Sequence, residues 1–375
     1  MWQWWSYCCS QVPAGKLPLR VNLDETSICL LQGDCKGTVF ISKKRQREES
    51  VQRVPRSKRR CCLTHVAFVC DRPELQPLLP QVLVGSERTF LASALAALQR
   101  DCPANVRLLR QKSAWNNETL CAAIVRWLGA ALRPHLGRFQ PILLLDAVRL
   151  HITVKVIRAC YAAGLWPVVV PAQMTWLLQP LDTDAFRPYK AHLRNAYQEA
   201  RIKSAAGDLS VSEFMPCVYS AIAHILQGRP WATAFERGGF GDQQAEISQT
   251  VRDELRLDGP VHVPALRPTE AQLKCCFPRR SNIPSATIWS PFDRLVAPMV
   301  LPRVLACSGG AAGEPCPPAA RGAAAAVDAR AGPTTGVAEL GRTRAETRLR
   351  EALARGSPLP PPRGRAAARR RLVLL

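Results

Sequence analysis

The stretch Pro141-Ile142-Leu143-Leu144-Leu145-Asp146 decides the fold. A continuous apolar run of this length suits a central strand covered on both faces, and an aspartate closes it at the carboxyl end. Beyond it, from about 148 to 163, Val148, Ile152, Val156, Cys160 and Tyr161 recur at a helical period, and Gly164 is a typical helix stop. Leu165 to Val170 is then a second buried strand. Strand, helix and strand at this spacing predict a parallel, right-handed crossover unit.

Working upstream, residues 17 to 30 alternate and then run apolar, which predicts a first strand with Asp24 inside it. A short second strand is expected over Gly37 to Ile41 and a third over Leu63 to Cys70, so Asp146 would end the fourth. Leu120, Ile124, Trp127, Leu128 and Leu132 predict a helix over 115–132 with Asn117 as its cap. Downstream of Pro180 a helical pattern carries Phe186, Tyr189, Leu193 and Tyr197 on one side as far as Ile202, with Pro188 starting or kinking it. Further helices are expected at 211–227 and 243–256; beyond Pro260 the regularity fades.

An apolar fraction of 47% in 375 residues is ample for a core, and a net charge of +22 calls for an acidic partner, of which nucleic acid is the commonest. No run approaches the roughly 20 apolar residues that span a bilayer, so no membrane association is expected. The N-terminus is aromatic but lacks the basic start of a signal peptide, and an intracellular protein is expected. The 15 cysteines stand singly or as adjacent pairs, which favours reduced, largely buried thiols over disulfides or zinc. Lys43, Lys44, Arg45 and Arg47 form one basic cluster and Arg56, Lys58, Arg59 and Arg60 another. They suit phosphate contact or a bipartite nuclear import signal, with a solvated hairpin loop as the plain alternative.

A single aspartate closing an apolar strand is usually a turn former or a cap. Three such residues stand in this chain: Asp24 in Val21-Asn22-Leu23-Asp24, Asp146, and Asp182 in Leu178-Gln179-Pro180-Leu181-Asp182. On the expected elements they can converge at one edge of a mixed sheet. Hard carboxylate oxygens can share two divalent ions about 3.5–4 Å apart while leaving positions open for phosphate and water.

These residues resemble the catalytic domain of the pogo/Tigger-like DDE superfamily endonucleases, a transposase group whose relatives include centromere protein B. The resemblance rests on Asn22-Leu23-Asp24-Glu25-Thr26, on Leu144-Leu145-Asp146 followed by His151, on Pro171 and Thr175, and above all on Leu178-Gln179-Pro180-Leu181-Asp182. Agreement continues in Phe186-Arg187-Pro188-Tyr189-Lys190, in Trp115-Asn116 and in Trp231 to Gly239, so it covers about residues 17 to 240. It implies an α/β, ribonuclease H-like mixed sheet flanked by helices. It also implies DNA strand cleavage and transfer with two Mg²⁺ (or Mn²⁺) ions on Asp24, Asp146 and Asp182, and His151, Gln179 and Thr175 in support. Asp184 is the rival third ligand, and Glu25 should point to the opposite face of its strand.

The chain departs from the family where Ala147 replaces the asparagine that usually follows the second aspartate. A helix-turn-helix region ahead of the first strand is also expected in the family. Only 1–16 precede that strand here, so specific DNA targeting would need a domain this chain does not carry. The expected organisation is an N-terminal remnant (1–16), the endonuclease domain (17–258), an irregular extension (259–307) and a disordered, basic, low-complexity tail (308–375). The expected activity is that of a nuclear, metal-dependent DNA endonuclease that binds DNA non-specifically through its basic regions. A homodimer is compatible with the sequence. The alternative is a catalytically inactive nucleic-acid-binding protein on the same fold.

Overall fold

The computed structural model describes residues 1–29, 61–88, 90–114, 116–204, 209–278 and 283–308. The strand expected at Gly37 to Ile41, both basic clusters between Lys43 and Arg60, and all but the first residue of the tail lie outside the described residues.

Six strands form one mixed sheet: β1 (Leu17–Cys29), β2 (Cys61–Cys70), β3 (Gln81–Ser86), β4 (Val106–Gln111), β5 (Phe139–Asp146) and β6 (Trp166–Val170). Their order across the sheet is β4-β3-β2-β1-β5-β6. The hairpin of β1 and β2 and the β2–β3 pair are antiparallel, whereas β3–β4, β1–β5 and β5–β6 are parallel. The crossover read from the sequence is therefore present, with β5 and β6 adjacent and joined through a helix. Asp146 ends the fifth described strand rather than the fourth, because β3 and β4 fall in a part of the sequence where no strand was expected.

Alternation along β1 sorts the two faces. Leu19, Val21 and Leu23 enter an apolar layer with Cys121, Ile124, Val125 and Leu128 of α3 (Glu118–Leu132) and Val156 and Cys160 of α4 (Val154–Ala162). Arg20, Asn22, Asp24 and Ile28 face the other way, towards α1 (Trp2–Ser10), α6 (Phe186–Lys203) and α7 (Val211–Ala221), whose buried side chains form the second layer. Short helices α2 (Ala92–Arg100) and α5 (Thr175–Leu178) complete the domain around the sheet.

The helix expected from 148 begins only at Val154, where the Thr153 hydroxyl caps it by accepting Val156 N at 3.3 Å. Residues 147 to 153 are instead a loop, which carries His151 away from any helix surface. Residues 181–185 form a π-helical turn that runs directly into α6, with Pro188 in the first turn of α6.

The segment ahead of β1 holds α1, and Trp4 and Trp5 are buried there. Trp2 and Trp5 donate their indole N–H to the carbonyls of Gly238 and Gly241, both at 2.9 Å. Gly239 between them has φ +80°, and a Cβ there would lie 2.7 Å from the Glu246 carbonyl oxygen, so only glycine fits. The segment beyond Pro260, expected to be irregular, contains α10 (Glu270–Lys274) and α11 (Ser285–Ser308) after α8 (Ala232–Arg237) and α9 (Gln249–Leu255). Phe292 of α11 packs edge-on against Trp166 of β6 at 4.9 Å between ring centroids. Among the described residues the cysteines are free thiols and most are buried, and no helix is long and apolar enough to cross a membrane.

Candidate functional site

The register brings the first two aspartates together. Asn22 of β1 stands opposite Leu144 of β5, and two further steps along the parallel pair bring Asp24 level with Asp146. Both project to the sheet face that carries α6. Asp182 arrives from the π-helical turn after β6, and its carboxylate interacts with those of Asp24 and Asp146. The three aspartates expected to converge at one sheet edge lie within electrostatic reach of one another there.

Asn22 joins the elements that carry them. It is fully buried; its Oδ1 accepts Leu181 N at 3.0 Å, and its Nδ2 donates to the Leu144 carbonyl at 3.2 Å. The turn is closed from below by the Gln179 carbonyl, which accepts Asp182 N at 3.0 Å, Thr183 N at 2.9 Å and the Thr183 hydroxyl at 3.1 Å. Gln179 thus holds the turn through its backbone. Its side-chain amide is buried and finds no hydrogen-bond partner among the described residues. The Thr175 hydroxyl, at the start of α5, lies near enough to the Asp182 carboxyl to favour its ionised form. Asp184 is turned elsewhere and pairs with Arg237 and the Thr183 hydroxyl.

Burial raises the Asp24 carboxyl well above the usual range, and the Asp182 and Asp146 charges raise it further. Burial also raises Asp182, against hydrogen bonds from Asp24 and Thr175. Because the Asp182 residue is exposed and Asp24 is only 8% exposed, solvent screens the former and burial weighs more heavily on Asp24.

His151 is buried at 2% exposure, with Nδ1 on Asp146 Oδ1 and Nε2 3.3 Å from Glu25 Oε1. Burial lowers the affinity of the ring for a proton, but the Asp146 and Glu25 carboxylates outweigh it and lift the imidazole to about 10. Glu25 lies on the opposite strand face, as expected, and also accepts Asn116 Nδ2 at 2.7 Å. Ala147 is buried in the apolar layer.

A hard divalent cation suits this donor set, since three carboxylates crowded into a partly buried edge repel one another until a proton or a cation compensates them. Among the described residues no three His, Cys, Asp or Glu side chains are gathered closely enough to enclose an ion as they stand. His151 engages Asp146 through Oδ1 alone, and an ion bound by all three would have to displace the interaction between Asp24 and Asp182. An open groove of about 750 Å³ lies apart from the trio, between β4 and the start of α3, lined by Arg110, Gln111, Asn117, Thr119, Leu120 and Trp127.

A mixed α/β sheet with flanking helices and an acidic edge is consistent with a ribonuclease H-like fold. Residues 77–228 match the family described as DDE superfamily endonuclease, in agreement with the pogo/Tigger-like resemblance carried by the motifs. That segment includes Asp146, His151, Thr175, Gln179 and Asp182, while Asp24 and Glu25 precede it. No curated protein and no solved structure matches the chain.

Proposed function

We propose that this chain is a transposon-derived DDE-type endonuclease domain that cleaves and transfers DNA strands with two Mg²⁺ or Mn²⁺ ions held by Asp24, Asp146 and Asp182. The convergence of the three aspartates, with Asn22 joining the strands and turn that bear them, is the observation that carries this reading. Bound metal would lower the pKa of the attacking water or 3′-hydroxyl and neutralise charge on the leaving oxygen. The chain's own part is to present hard oxygen ligands from two adjacent strands and a pinned turn. His151 and Thr175 orient Asp146 and Asp182.

The net charge of +22 supports a non-specific DNA partner, with phosphate contacts from Lys43, Lys44, Arg45, Arg47, Arg56, Lys58, Arg59 and Arg60, and a nuclear location. The test is Mn²⁺-dependent nicking of supercoiled plasmid. Wild type should nick, and Asp146→Asn should lose nicking while keeping its fold and its salt-sensitive DNA affinity. Equal nicking by both proteins would remove Asp146 from the reaction.

A second reading, a catalytically inactive DNA-binding protein on the same fold, is favoured by Ala147, whose buried methyl replaces the amide expected there. DNA affinity that depends on salt but not on metal, without nicking, would establish it.

A further inference from the structure

Glu25 and Asp24 leave opposite faces of β1, yet a continuous hydrogen-bonded path joins Glu25 to the aspartate trio around the sheet edge. Asn116 Nδ2 donates to Glu25 Oε1 at 2.7 Å, and the same oxygen lies 3.3 Å from His151 Nε2. On its other side His151 donates through Nδ1 to Asp146 Oδ1. The ring is thus held between two carboxyl groups, with one nitrogen on each. Val148 N also donates to Asp146 Oδ1, at 3.3 Å. Both contacts therefore fall on one oxygen, which sets the rotation of the carboxyl group and leaves Oδ2 as the oxygen these bonds do not use.

The path is anchored on separate pieces of the fold: β1 through Glu25, the approach to α3 through Asn116, and the loop after β5 through His151. Asn116 is itself fixed, because its Oδ1 accepts Asn117 N at 2.8 Å and Asn117 caps α3 through Leu120 N at 3.0 Å. An aspartate at the end of a strand retains rotational freedom, and ordering it on binding a cation costs entropy. A path that orders it beforehand removes that cost, as outer carboxylates do for the ligands of metal sites.

We propose that Glu25, buttressed by Asn116, is a positioning residue that acts through His151 to fix the Asp146 carboxylate for a divalent cation shared with Asp24 and Asp182. This inference rests on the metal-dependent reading above. The test is the Mn²⁺ affinity of the full chain at one pH, read from the loss of the free-ion electron paramagnetic resonance signal, in wild type, Glu25→Ala, Glu25→Gln and Asp146→Asn. Thermal melting of each protein serves as the check on folding. Glu25→Ala should bind Mn²⁺ about 10-fold or more weakly. Glu25→Gln, whose amide oxygen still accepts from His151 and Asn116, should recover most of that loss. Weakened binding in Asp146→Asn alongside wild-type affinity in Glu25→Ala would overturn the positioning role alone, as would a Gln variant no better than Ala. Absence of Mn²⁺ binding by folded wild type would overturn the metal-dependent reading, and the positioning role with it.

Discussion

Asn22 Oδ1 accepts the amide hydrogen of Leu181 at 3.0 Å, joining the strand that bears Asp24 to the turn that bears Asp182. The other end of the same side chain reaches the Leu144 carbonyl, two residues before Asp146. One buried carboxamide thereby connects the carriers of all three aspartates.

Asn22→Ala leaves Leu181 N and the Leu144 carbonyl without this partner in a buried setting. It should cost about 2–4 kcal/mol in urea unfolding, counting two buried groups at about 1–3 kcal/mol each with partial relaxation. Asn22→Asp keeps the acceptor but adds charge beside the trio, and should also destabilise. A variant as stable as wild type would show that the turn is held without Asn22.

Asp24 should cost stability near neutral pH. Its folded pKa is raised, so from about pH 4 upward the unfolded state releases the proton first and the folded state loses ground as pH rises. Asp24→Asn removes that cost while keeping the side-chain shape. A gain of about 1 kcal/mol would raise the melting temperature by about 2–4 °C at pH 7. Melting the two proteins at pH 5 and pH 7 checks the sign, because the advantage of the variant should grow with pH.

His65 has the opposite sign. It is buried and lies within 3.0 Å of the Tyr189 hydroxyl and 3.1 Å of Gln81 Oε1. The Gln81 oxygen accepts from Nε2–H and the hydroxyl donates to Nδ1, an arrangement that requires a neutral ring. Burial lowers its pKa to about 4 from an ordinary 6.5. Its neutral ring is fully accommodated above about pH 6.5, and stability is lost as pH falls towards 4, by roughly 2–3 kcal/mol at pH 4.5. Urea unfolding at pH 7 and 4.5 should show this loss in wild type and a smaller one in His65→Asn.

Arg20 and Asp71 form a buried ion pair at 2.9 Å, and Arg20 also donates to the Phe240 carbonyl at 2.7 Å, holding β1 to the segment after α8. Arg20→Met leaves the buried Asp71 carboxylate with only Arg72 Nε, at 3.4 Å, as a cation partner and should cost about 3 kcal/mol. Arg20→Met/Asp71→Asn should recover part of that loss, since the poorly compensated charge is gone. Equal stability of the single and double variants would contradict this account of the pair.

The strands β1, β2, β5 and β6 were legible because each is an uninterrupted apolar or alternating run with few rival periods. Strands β3 and β4 were not: Gln81–Ser86 and Val106–Gln111 are short, carry polar ends and gain their identity from pairing with each other and with β2. Helix α1 was hidden by its Trp and Cys content, which gives little helical propensity; its order comes from distant partners, the rings of Phe240 and Trp289 and the carbonyls of Gly238 and Gly241. Val148 and Ile152 match a helical period by accident of spacing, and the cap at Thr153 overrides them. Within the site the three aspartates were marked by the apolar runs around them. The roles of Asn22 and Glu25 left no mark of that kind, because hydrogen bonds between distant elements have no sequence period.

The most direct test of the central claim is a calorimetric Mn²⁺ titration of the full chain with a short DNA duplex present, in wild type and in Asp24→Asn, Asp146→Asn and Asp182→Asn. Saturable binding in wild type, weakened in each of the three folded variants, is the expected result. Wild-type binding that all three substitutions leave intact, or a folded wild type that binds no Mn²⁺, would contradict the assignment of these aspartates as a metal centre.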